Sequence, residues 1–150
     1  MHRGRCRCRN RRAFVPKSTS CVLLADRHHG LTEGVRGLLA TAFGSVVMVA
    51  DEASLIDGAG RLQPDVAIVD LSLAPHGRLN WLRALRQECP GLKVIVLSVH
   101  DEHSVRDAVM RAGADAFVLK RAIATELLSA VDAVRRGPGT AGLGENEHRP

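Results

Sequence analysis

From residue 21 onward, short apolar runs alternate with apolar positions at helical spacing, five times over. Cys21 to Ala25 is apolar and ends at Asp26. Leu31, Val35, Leu38, Leu39 and Ala42 then recur at the three-and-four spacing that lines one helix face. Ser45 to Ala50 is a second run, rich in β-branched residues, and Ala53, Leu55, Ile56 and Ala59 predict a short helix ended near Gly58 to Gly60. Asp65 to Val69 is a third run, followed by Asp70. Leu79, Leu82 and Leu85 predict a helix stopped by Pro90-Gly91. Leu92 to Leu97 leads to Ser98, and Val105, Ala108, Val109 and Ala112 form a stripe closed by Gly113. Ala116 to Leu119 leads to Lys120. Ile123, Leu127, Leu128, Val131 and Val134 predict a last helix, ending at Gly137-Pro138-Gly139.

The five runs are nearly continuous rather than alternating, as in strands buried on both faces of a parallel sheet. Strand–helix repetition of this kind predicts a doubly wound α/β domain over residues 20–136. Residues 1–19 read as a basic disordered tail and residues 137–150, rich in Gly and polar residues, as a second disordered tail. A further folded domain after Arg136 is not expected.

Composition refines this picture. A chain of 150 residues has enough length for one hydrophobic core. With 45% apolar and 25% charged residues it reads as a globular domain, and no apolar run approaches the length of a membrane span. Aromatics are 3%, with no Tyr, which argues against a base-stacking surface. The net charge is +5, but residues 1–17 hold seven of the 21 basic residues and no acid. The rest carries 14 basic against 16 acidic residues, so specific DNA binding by the domain is not expected. The basic arm reads either as a solvated segment or as a salt-sensitive tether to nucleic acid or anionic lipid. It lacks the apolar stretch of a secretory signal, since Ala13-Phe14-Val15 stops at Pro16. Cys6 and Cys8 form a C-x-C pair, too few ligands for zinc, and Cys21 and Cys89 read as buried or half-buried thiols. A reducing, cytoplasmic location is expected.

The candidate chemistry lies at the carboxyl ends of the runs. Asp26, Asp70, Ser98 and Lys120 stand at the ends of the first, third, fourth and fifth. Ligands of open parallel sheets bind beyond the carboxyl ends of the strands, so these four groups converge on one site. Two carboxylates, a hydroxyl and an ammonium suit a divalent cation and a phosphoryl group, with a carboxylate as nucleophile.

These segments resemble the receiver domains of bacterial two-component response regulators. The resemblance covers Cys21 to Arg136. It rests on Val22-Leu23-Leu24-Ala25-Asp26, Pro64-Asp65-Val66-Ala67-Ile68-Val69-Asp70-Leu71, Val94-Ile95-Val96-Leu97-Ser98 and Ala112-Gly113-Ala114-Asp115-Ala116-Phe117-Val118-Leu119-Lys120. The stretches Glu33-Gly34-Val35-Arg36 and 97–102 look like the subfamily joined to a helix-turn-helix output domain. The resemblance implies a flavodoxin-like (βα)5 fold with strand order 2-1-3-4-5. It implies that Asp70 accepts a phosphoryl group. It further implies that Mg²⁺ is held by Asp26, Asp70 and the backbone carbonyl of Ser72, that Ser98 is the switch hydroxyl, that Lys120 pairs with the phosphoryl oxygens and that Phe117 sits at the aromatic switch position. A histidine kinase or phosphotransfer protein is the implied donor, and homodimerisation a candidate output. The output face is expected on the fourth helix, fifth strand and fifth helix, around Val105, Arg106, Val109, Arg111 and Leu128. Such a protein catalyses its own phosphorylation and is not an enzyme with a separate substrate.

Arg27 departs from the family's pair of adjacent acids. A guanidinium cannot ligate a metal. Either it turns out to solvent and leaves a poorer metal site, or it takes over part of the cation's task by pairing with Asp70 or its phosphate. Two main readings are open: a stand-alone receiver phosphorylated on Asp70, or a phosphorylation-independent pseudo-receiver whose metal site Arg27 impairs. A hydrolase is disfavoured, because Ser72 rather than a second Asp stands two residues after Asp70. Val99 is bulky for a pocket mouth, and His100 lies at a rim position. His28 and His29 have no third ligand spaced for them, so a zinc or copper site is not expected, and His76 reads as solvated.

Overall fold

The computed structural model describes residues 20–74 and 78–137. The expectations for residues 1–19, His76 and residues 138–150 lie outside the described residues. Strands β1 (Cys21–Ala25), β2 (Ser45–Val49), β3 (Val66–Asp70), β4 (Lys93–Ser98) and β5 (Ala116–Leu119) alternate with helices α1 (His29–Leu39), α2 (Glu52–Leu62), α3 (Asn80–Glu88), α4 (His103–Arg111) and α5 (Ile123–Arg136). Single 3-10 turns follow β3 (Leu71–Leu73) and β5 (Lys120–Ala122). All strand pairs are parallel, in the order β2-β1-β3-β4-β5. The fold is the expected doubly wound α/β sheet.

Alternation along each strand serves two cores. Leu23 and Ala25 face one side, with Leu55 and Ala59 of α2, Leu82 and Leu85 of α3 and Val109 of α4. Val22 and Leu24 face the other, with Val35 and Leu39 of α1 and Leu127 and Val131 of α5. β3 is buried throughout, and β1 and β4 are buried except at their first residues. Full burial does not extend to β2, an edge strand with one exposed and four half-buried residues. Trp81, the single tryptophan, is 1% exposed and belongs to the same buried cluster as Leu71, Leu73 and Ala74.

The second helix corrects a sequence expectation. It does not stop at Gly58 to Gly60 but runs through both to Leu62. Each glycine costs about 1 kcal/mol against Ala in a helix, and burial of Leu55 and Ala59 outweighs it. A Cβ on Gly58 would lie 3.5 Å from the Leu23 methyls, so α2 packs closely on β1 there. Gln63 ends the helix in the left-handed region, at φ 48°, donating its N–H to the Ala59 carbonyl before Pro64.

At the amino ends of β4 and β5, Arg86 of α3 ties three segments. Its Nε donates to the Gly113 carbonyl at 2.9 Å, and its other nitrogens reach the Leu92 carbonyl and Asp115. Asp115 Oδ2 also accepts the Val94 N–H at 2.8 Å. Gly113 has φ 120°, and a Cβ there would meet Arg86 Cγ at 3.2 Å.

On the expected output face, Arg106 and Arg111 are exposed and Val105 and Leu128 are half-buried. Val109 is buried in the core and belongs to no surface. Cys21 is half-buried and Cys89 buried, and burial pushes the Cys21 thiol up.

Candidate functional site

Sheet register builds the site. Ala25 pairs with Val69, so the next residues, Asp26 and Asp70, emerge side by side where the strand order reverses between β1 and β3. Ser98 ends β4 opposite Leu119, so Lys120 emerges beyond it. All four polar groups therefore reach the carboxyl edge of the sheet. The cleft there holds ≈ 420 Å³ and is lined by residues including Arg27, His28, Asp70, Ser98 and Lys120.

Asp26 and Asp70 are 3% and 2% exposed. Asp70 Oδ2 accepts hydrogen bonds from Lys120 Nζ at 3.0 Å and Ser72 Oγ at 2.8 Å. Among the described residues its Oδ1 accepts the longer 3.3 Å bond from the Ser72 N–H. Burial works to raise the Asp70 pKa, but the Lys120 and Ser72 hydrogen bonds outweigh it and hold the carboxyl below its ordinary value. Asp26 is displaced the other way: burial raises its pKa, and the neighbouring Asp70 charge adds to that, against the lowering effects of the His28 N–H and Lys120. Asp26 Oδ1 accepts that N–H at 2.8 Å. Among the described residues Asp26 Oδ2 has no hydrogen bond; Lys120 Nζ lies 3.9 Å away.

Ser98 lines the cleft, but its hydroxyl is engaged with the His100 backbone. Oγ accepts the His100 N–H at 2.9 Å and donates to the His100 carbonyl at 3.2 Å. Phe117 is buried, 8% exposed, with the Arg106 guanidinium 5.5 Å from its ring centroid. Val99 is 66% exposed at the cleft mouth.

Arg27 is exposed, yet it does not turn away. Its guanidinium donates to the Ser72 carbonyl at 3.3 Å, rather than to Asp70. That carbonyl is the backbone ligand the resemblance implies for Mg²⁺, which demands a near-octahedral shell of oxygens. With Arg27 on that carbonyl, the backbone ligand is engaged by a cationic side chain, whereas the two carboxylates keep lone pairs that an ion could use.

His28 was not legible as a site residue, and the structure corrects the expectation that no further ligand is near. Its Nδ1 lies 3.4 Å from Asp26 Oδ1 and 3.5 Å from Asp70 Oδ2, and the three groups' ligand atoms fall within 4.8 Å of one another. The Asp70 oxygen facing His28 is the one that already holds Lys120. The signal available in sequence was position alone: His28 stands two residues after a strand-ending acid, where the chain turns back over the sheet edge.

Comparison with known proteins agrees with this architecture. The model of the response regulator receiver domain family matches residues 22–132. The nitrate/nitrite response regulator protein NarP of Escherichia coli is 38% identical over 82% of this chain and 59% of its own length. The transcriptional regulatory protein DegU of Brevibacillus brevis is 31% identical over 77% of this chain and 50% of its own. The chain thus spans between half and three-fifths of these curated relatives. Among solved structures, the signal receiver domain of the response regulator NarL from Mycobacterium tuberculosis superposes with a TM-score of 0.70. It is 28% identical, covering 79% of this chain and 98% of that one. With the family model matched over residues 22–132 and a relative 38% identical over 82% of the chain, the chain belongs to the response regulator receiver domain family.

Proposed function

We propose that Asp70 accepts a phosphoryl group from a histidine kinase or phosphotransfer protein and that the chain signals by altered protein–protein binding. The reading is carried by one observation: a buried carboxylate at an open cleft, held ionised by a lysine 3.0 Å away. Oδ1 is the less engaged oxygen and is the nucleophile. It attacks the phosphorus of a phosphohistidine or an acyl phosphate. The O–P bond to Asp70 forms as the bond to the leaving imidazole or carboxylate breaks, and the leaving group keeps the electron pair. The product is a mixed anhydride, whose phosphoryl oxygens Lys120 is charged to hold. The Ser98 hydroxyl then exchanges the His100 carbonyl for a phosphoryl oxygen, which frees the loop before α4. Phe117 and the Arg106 stacked on it carry the change to the α4-β5-α5 face. A second copy or the kinase itself is the partner for that face. On this reading the domain works as a signalling module whose binding face changes with phosphorylation.

The test is intact-protein mass after incubation with acetyl phosphate. One added phosphoryl group on wild type, absent from Asp70→Asn, is the expected result; unlabelled wild type overturns it. The second reading is a phosphorylation-independent binding module, and the Arg27 hydrogen bond to Ser72 favours it. Partner binding unchanged in Asp70→Asn would select that reading.

A further inference from the structure

We propose that the Arg27 guanidinium takes the place of a divalent cation in this cleft, so that the chain balances its own acidic pocket and does not take up Mg²⁺. The inference deepens the reading of Asp70 as a phosphoryl acceptor and rests on it only for the phosphoryl step.

Three observations carry it. The first is position. Arg27 comes directly after the acid at the end of β1, and its hydrogen bond to the Ser72 carbonyl crosses to the segment that leaves β3. The guanidinium therefore bridges the same two strand ends that a metal shared by Asp26 and Asp70 would bridge. The second is occupancy of the donors. Asp26 Oδ1 takes the His28 N–H, Asp70 Oδ1 the Ser72 N–H, and Asp70 Oδ2 both Ser72 Oγ and Lys120. Asp26 Oδ2 lacks a hydrogen bond among the described residues, so the carboxylates are not all spoken for; the backbone oxygen that would join them around an ion, the Ser72 carbonyl, is the one Arg27 holds. The third is charge. Asp26 and Asp70 lie against Lys120, and Arg27 lines the same cleft, so these four groups of the pocket sum to zero before any ion enters. A dication would leave it at +2, beside two positive side chains. An acid at position 27 would leave it at −2, the charge a dication neutralises.

Arg27 is exposed, and a planar fork of N–H donors matches two phosphoryl oxygens at once. Arg27 and Lys120 together thus supply positive charge on two sides of a group bonded to Asp70. Transfer of the phosphoryl group then proceeds equally with and without a divalent cation.

The experiment uses the full chain as wild type, Arg27→Asp and Arg27→Ala, titrated with MgCl2 in a calorimeter. Wild type is expected to give no saturable heat. Both variants are expected to gain it, Arg27→Asp at lower Mg²⁺ than Arg27→Ala. Saturable Mg²⁺ binding by wild type overturns the inference, and so does its absence from both variants, since Arg27 is then not what excludes the ion. In parallel, wild type is incubated with acetyl phosphate in Mg²⁺ or in EDTA and weighed by mass spectrometry. Equal uptake in the two buffers supports both the inference and the reading of Asp70. Uptake only with Mg²⁺ overturns the inference and leaves Asp70 as acceptor. No uptake in either buffer, with no Mg²⁺ heat, overturns the acceptor reading and leaves the metal exclusion standing.

Discussion

Asp26 and Asp70 stand on neighbouring strand ends and are pushed in opposite directions. Asp70 has Lys120 and Ser72 to hold its charge, whereas Asp26 is buried beside that same charge. For Asp26 the folded-state pKa lies above the ordinary value of 3.8, so its ionisation opposes folding. The penalty is absent below pH 3.8 and fully present above the raised value. Asp26→Asn should therefore stabilise the protein at pH 7. The gain should shrink to nothing as the pH falls to the ordinary carboxylate range. Urea unfolding of both proteins across that range checks it; a gain that persists in acid would contradict the assignment. Asp70 behaves oppositely: its contribution is present above pH 3.8 and is lost as the pH falls through its lowered value. At this scale Asp26, Asp70, Ser98 and Lys120 were legible, because each is the first polar residue after an apolar run. His28 was not, because its place in the cleft depends on how the chain turns after β1.

The helices were legible from apolar spacing, and their ends less so. Gly58 and Gly60 read as breakers, yet α2 continues because its buried face and its caps decide. Asp51 accepts the Ser54 N–H at the start, and Gln63 turns left-handed at the end. Nothing lies within 4 Å of a Cβ on Gly60, so Gly60→Ala should stabilise by about 1 kcal/mol. Gly113→Ala should do the opposite, by more than about 1 kcal/mol, because its φ is 120° and Arg86 crowds the site. Thermal melts of the two variants should move in opposite directions. β2 shows the same limit from the strand side: β-branched composition marked it as a strand, and its edge position, which composition does not carry, left it half-buried.

The molecule as a whole divides into a stapled base and a reactive rim. Periodicity predicted parallel strands, but not which strands are neighbours; that order came from likeness to a family, and the sheet has it. The base depends on Arg86, which joins α3 to the entries of β4 and β5 through a half-buried pair with Asp115. Arg86→Ala should cost about 2–3 kcal/mol, since hydrogen bonds to charged groups are worth about 1.5–3 kcal/mol and two carbonyls and the Asp115 carboxylate lose their donor. Arg86→Lys should recover little, because an ammonium lacks the planar fork. Chemical denaturation measures both, and phosphoryl uptake at the opposite rim should survive in the fraction that stays folded. Among the described residues no helix is long and apolar enough to cross a membrane.

One consequence of the single tryptophan concerns how this protein can be watched. Trp81 is sealed in the core, and its indole N–H has no acceptor among the described residues. An indole in that setting emits at short wavelength and responds to small changes of packing. The segment that shares its cluster, Leu71 to Ala74, leaves directly from Asp70. The chain therefore carries its own optical gauge of the acceptor strand. A stopped-flow trace of its emission gives the rate of any rearrangement there without a label, and Trp81→Phe supplies the blank.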